Sequence, residues 1–228
     1  MINLYIADVS CLKDSEIFEK KYNSLPDIRR EKVDRVRFNS DKSLELGAGL
    51  LLKYALSMQN LDINDLVFSK NKYGKPYLKD YSDLHFSLSH SRERVMCAVS
   101  DKEIGCDIQY TDETNANILN IAKRFFTGKE YAALLKICED KTKVNDLFYS
   151  IWVLKESCIK ACGQGLAKPL NSFESMPDTR GLFLPFGEEK KDYYCNLKSF
   201  SLSGPYKCAV AAISEDIPEI LTEVDLSL

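Results

Sequence analysis

Glu156 and Lys160 stand four residues apart in Trp152-Val-Leu-Lys-Glu-Ser-Cys-Ile-Lys160, a carboxylate and an ammonium placed to share one side of a helix. A carboxylate so placed can take a proton or hold a cation, and an ammonium beside it can steady an anion. The same spacing describes an ordinary i,i+4 ion pair worth about 0.2–0.5 kcal/mol, and the pair alone does not separate the two readings. A second acid, Asp107, lies in Glu103-Ile-Gly-Cys-Asp-Ile-Gln109. Alternation buries Ile104, Cys106 and Ile108 and turns Glu103, Gly105, Asp107 and Gln109 to the opposite, outward face. Aspartate is disfavoured inside strands, and Gly105 vacates the space next to it, which suggests a ligand.

These groups need elements to hold them. Around Glu156 and Lys160, Phe148, Trp152, Ile159 and Cys162 form an apolar stripe at about 100° per residue, flanked by Ile151. Asn145 or Asp146 is placed to cap the start of this helix, and Gly163 or Gly165 to stop it in the left-handed conformation. Lys155 points into the stripe, where an ordinary core helix would have it snorkel past its neighbours. Earlier in the chain, residues 3–9 read as a strand, 28–37 as a basic helix carrying Arg29 and Lys32, and 43–58 as a helix. Gly47 and Gly49 predict close packing of that last helix on a neighbour. Residues 65–69 read as a short strand, and Lys70-Asn-Lys-Tyr-Gly-Lys-Pro-Tyr77 as a cationic turn, either solvated or holding an anion. Strands follow at 84–90, with Leu84, Phe86, Leu88 and His90 on one side, and at 94–100 and 103–109. A helix over 117–126 precedes Thr127-Gly-Lys-Glu130, a capping box that explains Glu130 at least as well as catalysis does. Residues 206–213 form a further strand. Its Cys208-Ala-Val echoes Cys97-Ala-Val, and Val153-Leu-Lys155 echoes Leu51-Leu-Lys53, which suggests two similar α+β halves with a site at their junction.

Composition bounds the rest. The 228 residues are 45% hydrophobic and 29% charged, with a formal net charge of -3, the balance of a globular protein without a general nucleic-acid signal. No stretch approaches the roughly 20 apolar residues of a membrane span, and the start has no basic n-region. The chain reads as cytoplasmic. Eight cysteines include no C-x-x-C pair, and only His85 and His90 could join them, so reduced thiols are expected rather than zinc or disulfides. No P-loop or kinase signature is present.

Five blocks in order, Tyr73-Gly-Lys-Pro76, His85-Phe-Ser-Leu-Ser-His-Ser91, Ile104-Gly-Cys-Asp-Ile108, Arg124-Phe-Phe-Thr-Gly-Lys-Glu130 and Trp152 to Lys160, resemble the 4′-phosphopantetheinyl transferases of the monomeric, surfactin-synthetase-activating type. The likeness covers residues 26–173, with a tail to about 213. Singly each block is weak; together they are specific. The resemblance implies an α+β fold of two pseudo-symmetric halves, 1–108 and 109–228, with the active site at their interface. It implies transfer of the phosphopantetheine arm of coenzyme A to a serine of an acyl or peptidyl carrier protein, with Mg²⁺, releasing adenosine 3′,5′-bisphosphate. Asp107, Gln109 and Glu156 would hold the metal, Glu156 would take the serine proton, and Lys160 would meet the phosphate charge. Arg29, Lys32, Lys75, Ser89 and His90 would hold the nucleotide and its 3′-phosphate. Many members carry Glu where this chain has Gln109, so the amide or a water would fill that corner. Around Lys42-Ser43-Leu44 the family's basic-hydroxyl pair aligns only to within one residue. Residues 162–170 would either dock the carrier protein through exposed Leu166 and Leu170 near Lys168 or form a plain Gly-stopped helix end whose leucines tuck into the core. No nucleic acid, no membrane and a monomer are expected, and a catalytically silent carrier-binding module of the same fold is the alternative.

Overall fold

The computed structural model describes residues 1–111, 117–186, 191–213 and 216–227. The first half runs through β1 (Asn3–Asp8), α1 (Ser15–Tyr22), α2 (Asp27–Arg35), α3 (Asn39–Ser57), a hairpin of β2 (Phe68–Lys70) and β3 (Pro76–Leu78), then β4 (His85–Ser91) and β5 (Arg94–Ser100). The second repeats the order with β6 (Ile104–Tyr110), α4 (Ile118–Phe125), α5 (Gly128–Leu135), α6 (Lys141–Cys162), β7 (Gly181–Phe186), β8 (Lys191–Ser201) and β9 (Tyr206–Ile213). A two-residue strand, β10 (Thr222–Glu223), returns to the first sheet beside β1. The sheets order as β10-β1-β5-β4 and β6-β9-β8-β7, so β1, β5 and β4 correspond to β6, β9 and β8. The expected α+β halves are present, and the two sequence echoes fall on equivalent elements, β5 with β9 and α3 with α6. The chain passes between sheets at residues 101–103, and β6 runs unbroken across the expected 108/109 division.

Alternation explains the layering. On β5, Val95, Cys97 and Val99 pack toward α3 together with Leu46, Leu51 and Leu52. Met96 and Ala98 turn the other way and meet Ile104, Cys106, Ile108 and Val210 of the second sheet. β5 is buried on both faces, which is why it reads as a nearly continuous apolar run. Ala209 and Ala211 of β9, with Leu197 and Cys195 of β8, form a further core under Leu154, Cys158 and Cys162 of α6. Six of the eight cysteines are buried, and all eight are unpaired. Burial pushes the thiols of Cys195 and Cys208 up to about 12. Among the described residues no helix is long and apolar enough to cross a membrane.

Three expectations about the elements need correction. α6 starts at Lys141 with Asp140 as its cap, accepting from Lys143 N at 3.1 Å, so Asn145 and Asp146 lie inside the helix. Its first turns are polar and gave no apolar stripe to read. Gly163 does stop it, at φ 67. The strand expected at 65–69 is displaced to Phe68–Lys70, behind a 3₁₀ turn at Ile63–Asp65 capped by Asp62. Lys155 does not snorkel: its ammonium is fully buried against Glu130.

One seam joins the halves along the site. β4 and β6 are edge strands of different sheets, and the outward N–H groups of β6 would lie unpaired. Instead Ser87, Ser89 and Ser91 of β4 accept from Cys106 N (3.0 Å), Ile108 N (3.2 Å) and Tyr110 N (2.9 Å). A short hydroxyl at every second position lets one edge satisfy the other without a backbone ladder.

Candidate active site

Gly105 sets the geometry. A Cβ at this position would fall 2.1 Å from the Ser157 carbonyl oxygen and 2.3 Å from Ala161 N. The space expected for a ligand is therefore occupied by the backbone of α6, which only glycine admits so close to β6. That approach brings Lys160 to the next outward position of the strand. Its Nζ donates to Asp107 Oδ1 at 2.7 Å and to Ser89 Oγ at 2.9 Å. Ser89 Oγ donates in turn to Asp107 Oδ1 at 2.7 Å, and Gln109 Nε2 to Asp107 Oδ2 at 3.1 Å. Asp107 keeps the predicted face but is only 2% exposed, because α6 covers that face. The expectation of an outward face beside open space is corrected: the face is covered.

The electrostatics follow from that burial. Glu156 has its carboxyl pushed up to about 7, first by burial and then by the Asp107 carboxylate, with Lys160 opposing. Burial alone would pull the Lys160 ammonium down, yet the Asp107 carboxylate more than offsets it and holds the group above the usual lysine value. Two carboxylates thus crowd one another beside a single ammonium. With the Gln109 amide oxygen they are the residues that could hold a divalent cation, and the set is all hard oxygen, suited to Mg²⁺.

A second cluster lies across β4, where His90 faces α3. His90 Nε2 stands 3.6 Å from Glu45 Oε1, and the imidazole holds the Glu45 carboxyl below its usual range. Arg29 is 3% exposed, and its Nε has no hydrogen-bond partner. It lies against Gly49, where a Cβ would come within 3.3 Å of Nε. Burial, and after it the Arg29 charge, pulls Lys32 down to about 8. A buried cation whose charge depresses the proton affinity of its neighbour, with a donor left over, forms a site short of an anion.

Residues 103–211 match the 4′-phosphopantetheinyl transferase superfamily, and residues 13–102 match 4′-phosphopantetheinyl transferase, N-terminal. The 4′-phosphopantetheinyl transferase Sfp of Bacillus subtilis is 38% identical over 86% of this chain and 85% of that protein. The chain belongs to the 4′-phosphopantetheinyl transferase superfamily. A second Bacillus subtilis 4′-phosphopantetheinyl transferase is 35% identical over 82% of each chain. The 4′-phosphopantetheinyl transferase HetI of Nostoc is 36% identical over 54% of this chain and 52% of its own length.

In this phosphopantetheinyl transferase the predicted site residues fall into three places. Asp107, Gln109, Ser89, Lys160 and Glu156 are together, and Arg29, Lys32 and His90 surround Glu45. Lys75 is apart from both: its ammonium is paired with Glu103 and donates to Ala161 O at 3.0 Å and Ile104 O at 3.2 Å, at the C-terminal end of α6. The segment after α6 also differs from expectation. Leu170 is 4% exposed in the core under α6, and Lys168 is buried over the Phe173 ring, so they do not form an exposed docking pair. The Leu166 side chain lies outside the described residues. Sequence reasoning missed Glu45, whose one signal was its place a turn before Gly49. It also missed the linking role of Ser87 and Ser91, signalled by serine at every second position of β4.

Proposed function

We propose that this chain transfers the 4′-phosphopantetheine arm of coenzyme A to a serine hydroxyl of an acyl or peptidyl carrier protein, with Mg²⁺, and acts as a monomer. The observation that carries the reading is the hydrogen-bonded cluster of Asp107, Ser89 and Lys160, at 2.7–2.9 Å, with Glu156 one turn from Lys160 and its carboxyl raised by burial and by Asp107. A general base works best with a pKa near the operating pH. Glu156 accepts the serine proton as the serine oxygen bonds to the phosphorus that carries the pantetheine. The pyrophosphate bond breaks, adenosine 3′,5′-bisphosphate departs, and Lys160 meets the charge left on its phosphate. Asp107 holds Lys160 protonated and in place. Mg²⁺ held by Asp107, Glu156 and the Gln109 amide oxygen would neutralise the bridging phosphates. Arg29, Lys32 and His90 receive the 3′-phosphate, and Lys75, through Glu103 and Ala161 O, fixes its own turn against the C-terminal end of α6. The test is intact mass of an apo carrier protein after incubation with coenzyme A and Mg²⁺. A gain of one phosphopantetheine supports the reading; a carrier that binds without gaining mass would make the chain a silent binding module.

Two expectations follow here. Gln109→Glu replaces an amide that donates to Asp107 with a third carboxylate. Apparent Mg²⁺ affinity should rise by about an order of magnitude, since oxygen sites are tuned by ligand charge. Weaker binding in a metal titration would show that residue 109 does not face the metal. Lys32→Ala should weaken coenzyme A by about tenfold, the size of a lost charge-assisted hydrogen bond, and leave dephospho-coenzyme A nearly unchanged. Calorimetry with both ligands decides, and equal losses would remove Lys32 from the 3′-phosphate site.

A further inference from the structure

The transfer reading leaves Glu45 without a role, although this acid lies in the middle of the cations that reading uses. Glu45, Gly49 and Lys53 recur every four residues along one side of α3. That side faces the start of α2. A Cβ at Gly49 would come within 2.7 Å of Leu25 Cδ1 and 3.3 Å of Arg29 Nε, and Lys53 Nζ donates to Ser24 O at 2.7 Å. Arg29 therefore meets α3 one turn after Glu45, and Lys32 follows three residues later on α2.

From β4, His90 brings Nε2 to 3.6 Å from Glu45 Oε1. This is longer than a normal hydrogen bond, so the carboxylate is held loosely. The two side chains are 39% and 26% exposed, and a solute can reach both. The charges around them do not balance. After burial, the groups that act most on Lys32 are Arg29, Glu45, Lys70 and Arg35, three cations and one acid. The acid stands where an anion from solution would stand.

We propose that Glu45 is an internal counter-ion that occupies His90 in the free protein and yields it to the 3′-phosphate, and so sets how tightly that phosphate is held. The inference rests on the transfer reading above, which sends the 3′-phosphate to Arg29, Lys32 and His90. A carboxylate and a phosphate compete for the same imidazole Nε2, and like charges side by side repel one another. Binding the phosphate therefore includes the work of displacing Glu45. The released adenosine 3′,5′-bisphosphate keeps its 3′-phosphate, so the same acid competes with the product and favours its departure after transfer.

The test uses two ligands that differ only in the 3′-phosphate, adenosine 3′,5′-bisphosphate and adenosine 5′-phosphate. Calorimetry measures both on wild type, Glu45→Gln, His90→Ala and the double variant. Glu45→Gln should bind the bisphosphate about tenfold more tightly and the monophosphate as wild type does. In the His90→Ala background the same change should gain less than about threefold, because the contact it relieves is already gone. Weaker binding of the bisphosphate by Glu45→Gln would make Glu45 a support for His90 and overturn the proposal. So would an equal change for both ligands, no change, or a full tenfold gain without His90. Where Glu45→Gln does not fold, Glu45→Asp draws the carboxylate back from His90 and should show a gain of the same sign; no gain overturns the proposal. A wild type that binds the two ligands alike would take the 3′-phosphate away from this cluster and the proposal with it. A wild type that prefers the bisphosphate, with no gain on substitution, removes the proposal alone.

Discussion

Lys155→Ala should cost about 3–5 kcal/mol of folding stability, the size expected when one partner of a buried ion pair is removed. Lys155 and Glu130 are both 0% exposed. The ammonium has three protons, and each has a partner: Glu130 Oε1 at 2.9 Å, Leu170 O at 2.8 Å and Phe173 O at 2.6 Å. The carboxylate also accepts from Thr127 N and Ser175 N, both at 2.7 Å. One pair therefore ties the start of α5, the middle of α6 and residues 170–175. Without Lys155 a carboxylate and two carbonyls stay buried with too few donors. A Lys155→Met, Glu130→Gln double variant should lose less than the sum of the single variants, since it removes both charges. Urea denaturation measures all of these. A single-variant cost under about 1 kcal/mol would be the value of a solvated surface pair and would contradict the burial.

Glu156→Gln should lower kcat by about 10²–10⁴-fold, the range for loss of a general base. It should also make the metal-free protein more stable at alkaline pH. The folded carboxyl titrates at about 7, against an ordinary value of 4.5. Between those values the native state binds more protons than the unfolded chain, so stability falls as pH rises from about 4.5 through about 7. The loss is complete above that window and absent below it. Glutamine removes the ionised form. The two proteins should be similar near pH 5, and the variant more stable by roughly 1–3 kcal/mol near pH 8. Parallel stability curves across that range would mean that Glu156 is well solvated.

Much of this was legible in the sequence for a local reason. β5 and β9 each carry apolar runs bounded by polar or turn residues, and their limits are as read. The capping box at Thr127 and Glu130 is a short-range pattern, and both of its hydrogen bonds are present. The illegible features depend on distant chain. Gly105 correctly announced a close approach, but nothing in its neighbourhood says that the visitor is a helix fifty residues later. Asn145 and Asp146 have the chemistry of a cap, yet Asp140 has it too, and packing of α6 on the second sheet decided. Likewise Glu130 and Lys155 each looked ordinary alone, and only the fold makes them partners. Leu170 could not be placed from its sequence, because the groove that swallows it is built from β7, β8 and α6.

The serine seam between β4 and β6 bears on the order in which the molecule comes together. Among the described residues the backbone ladders stay within each half, apart from the two-residue pairing of β10 with β1. Each sheet can close on its own helices before the halves meet, as separate cooperative units of structure. The contacts of Ser89 with Asp107 and Lys160 span the seam, so they are among the last to form and the first to part. In a mild urea series, activity should therefore fall before helix and strand content does, as the halves separate while each keeps its own fold.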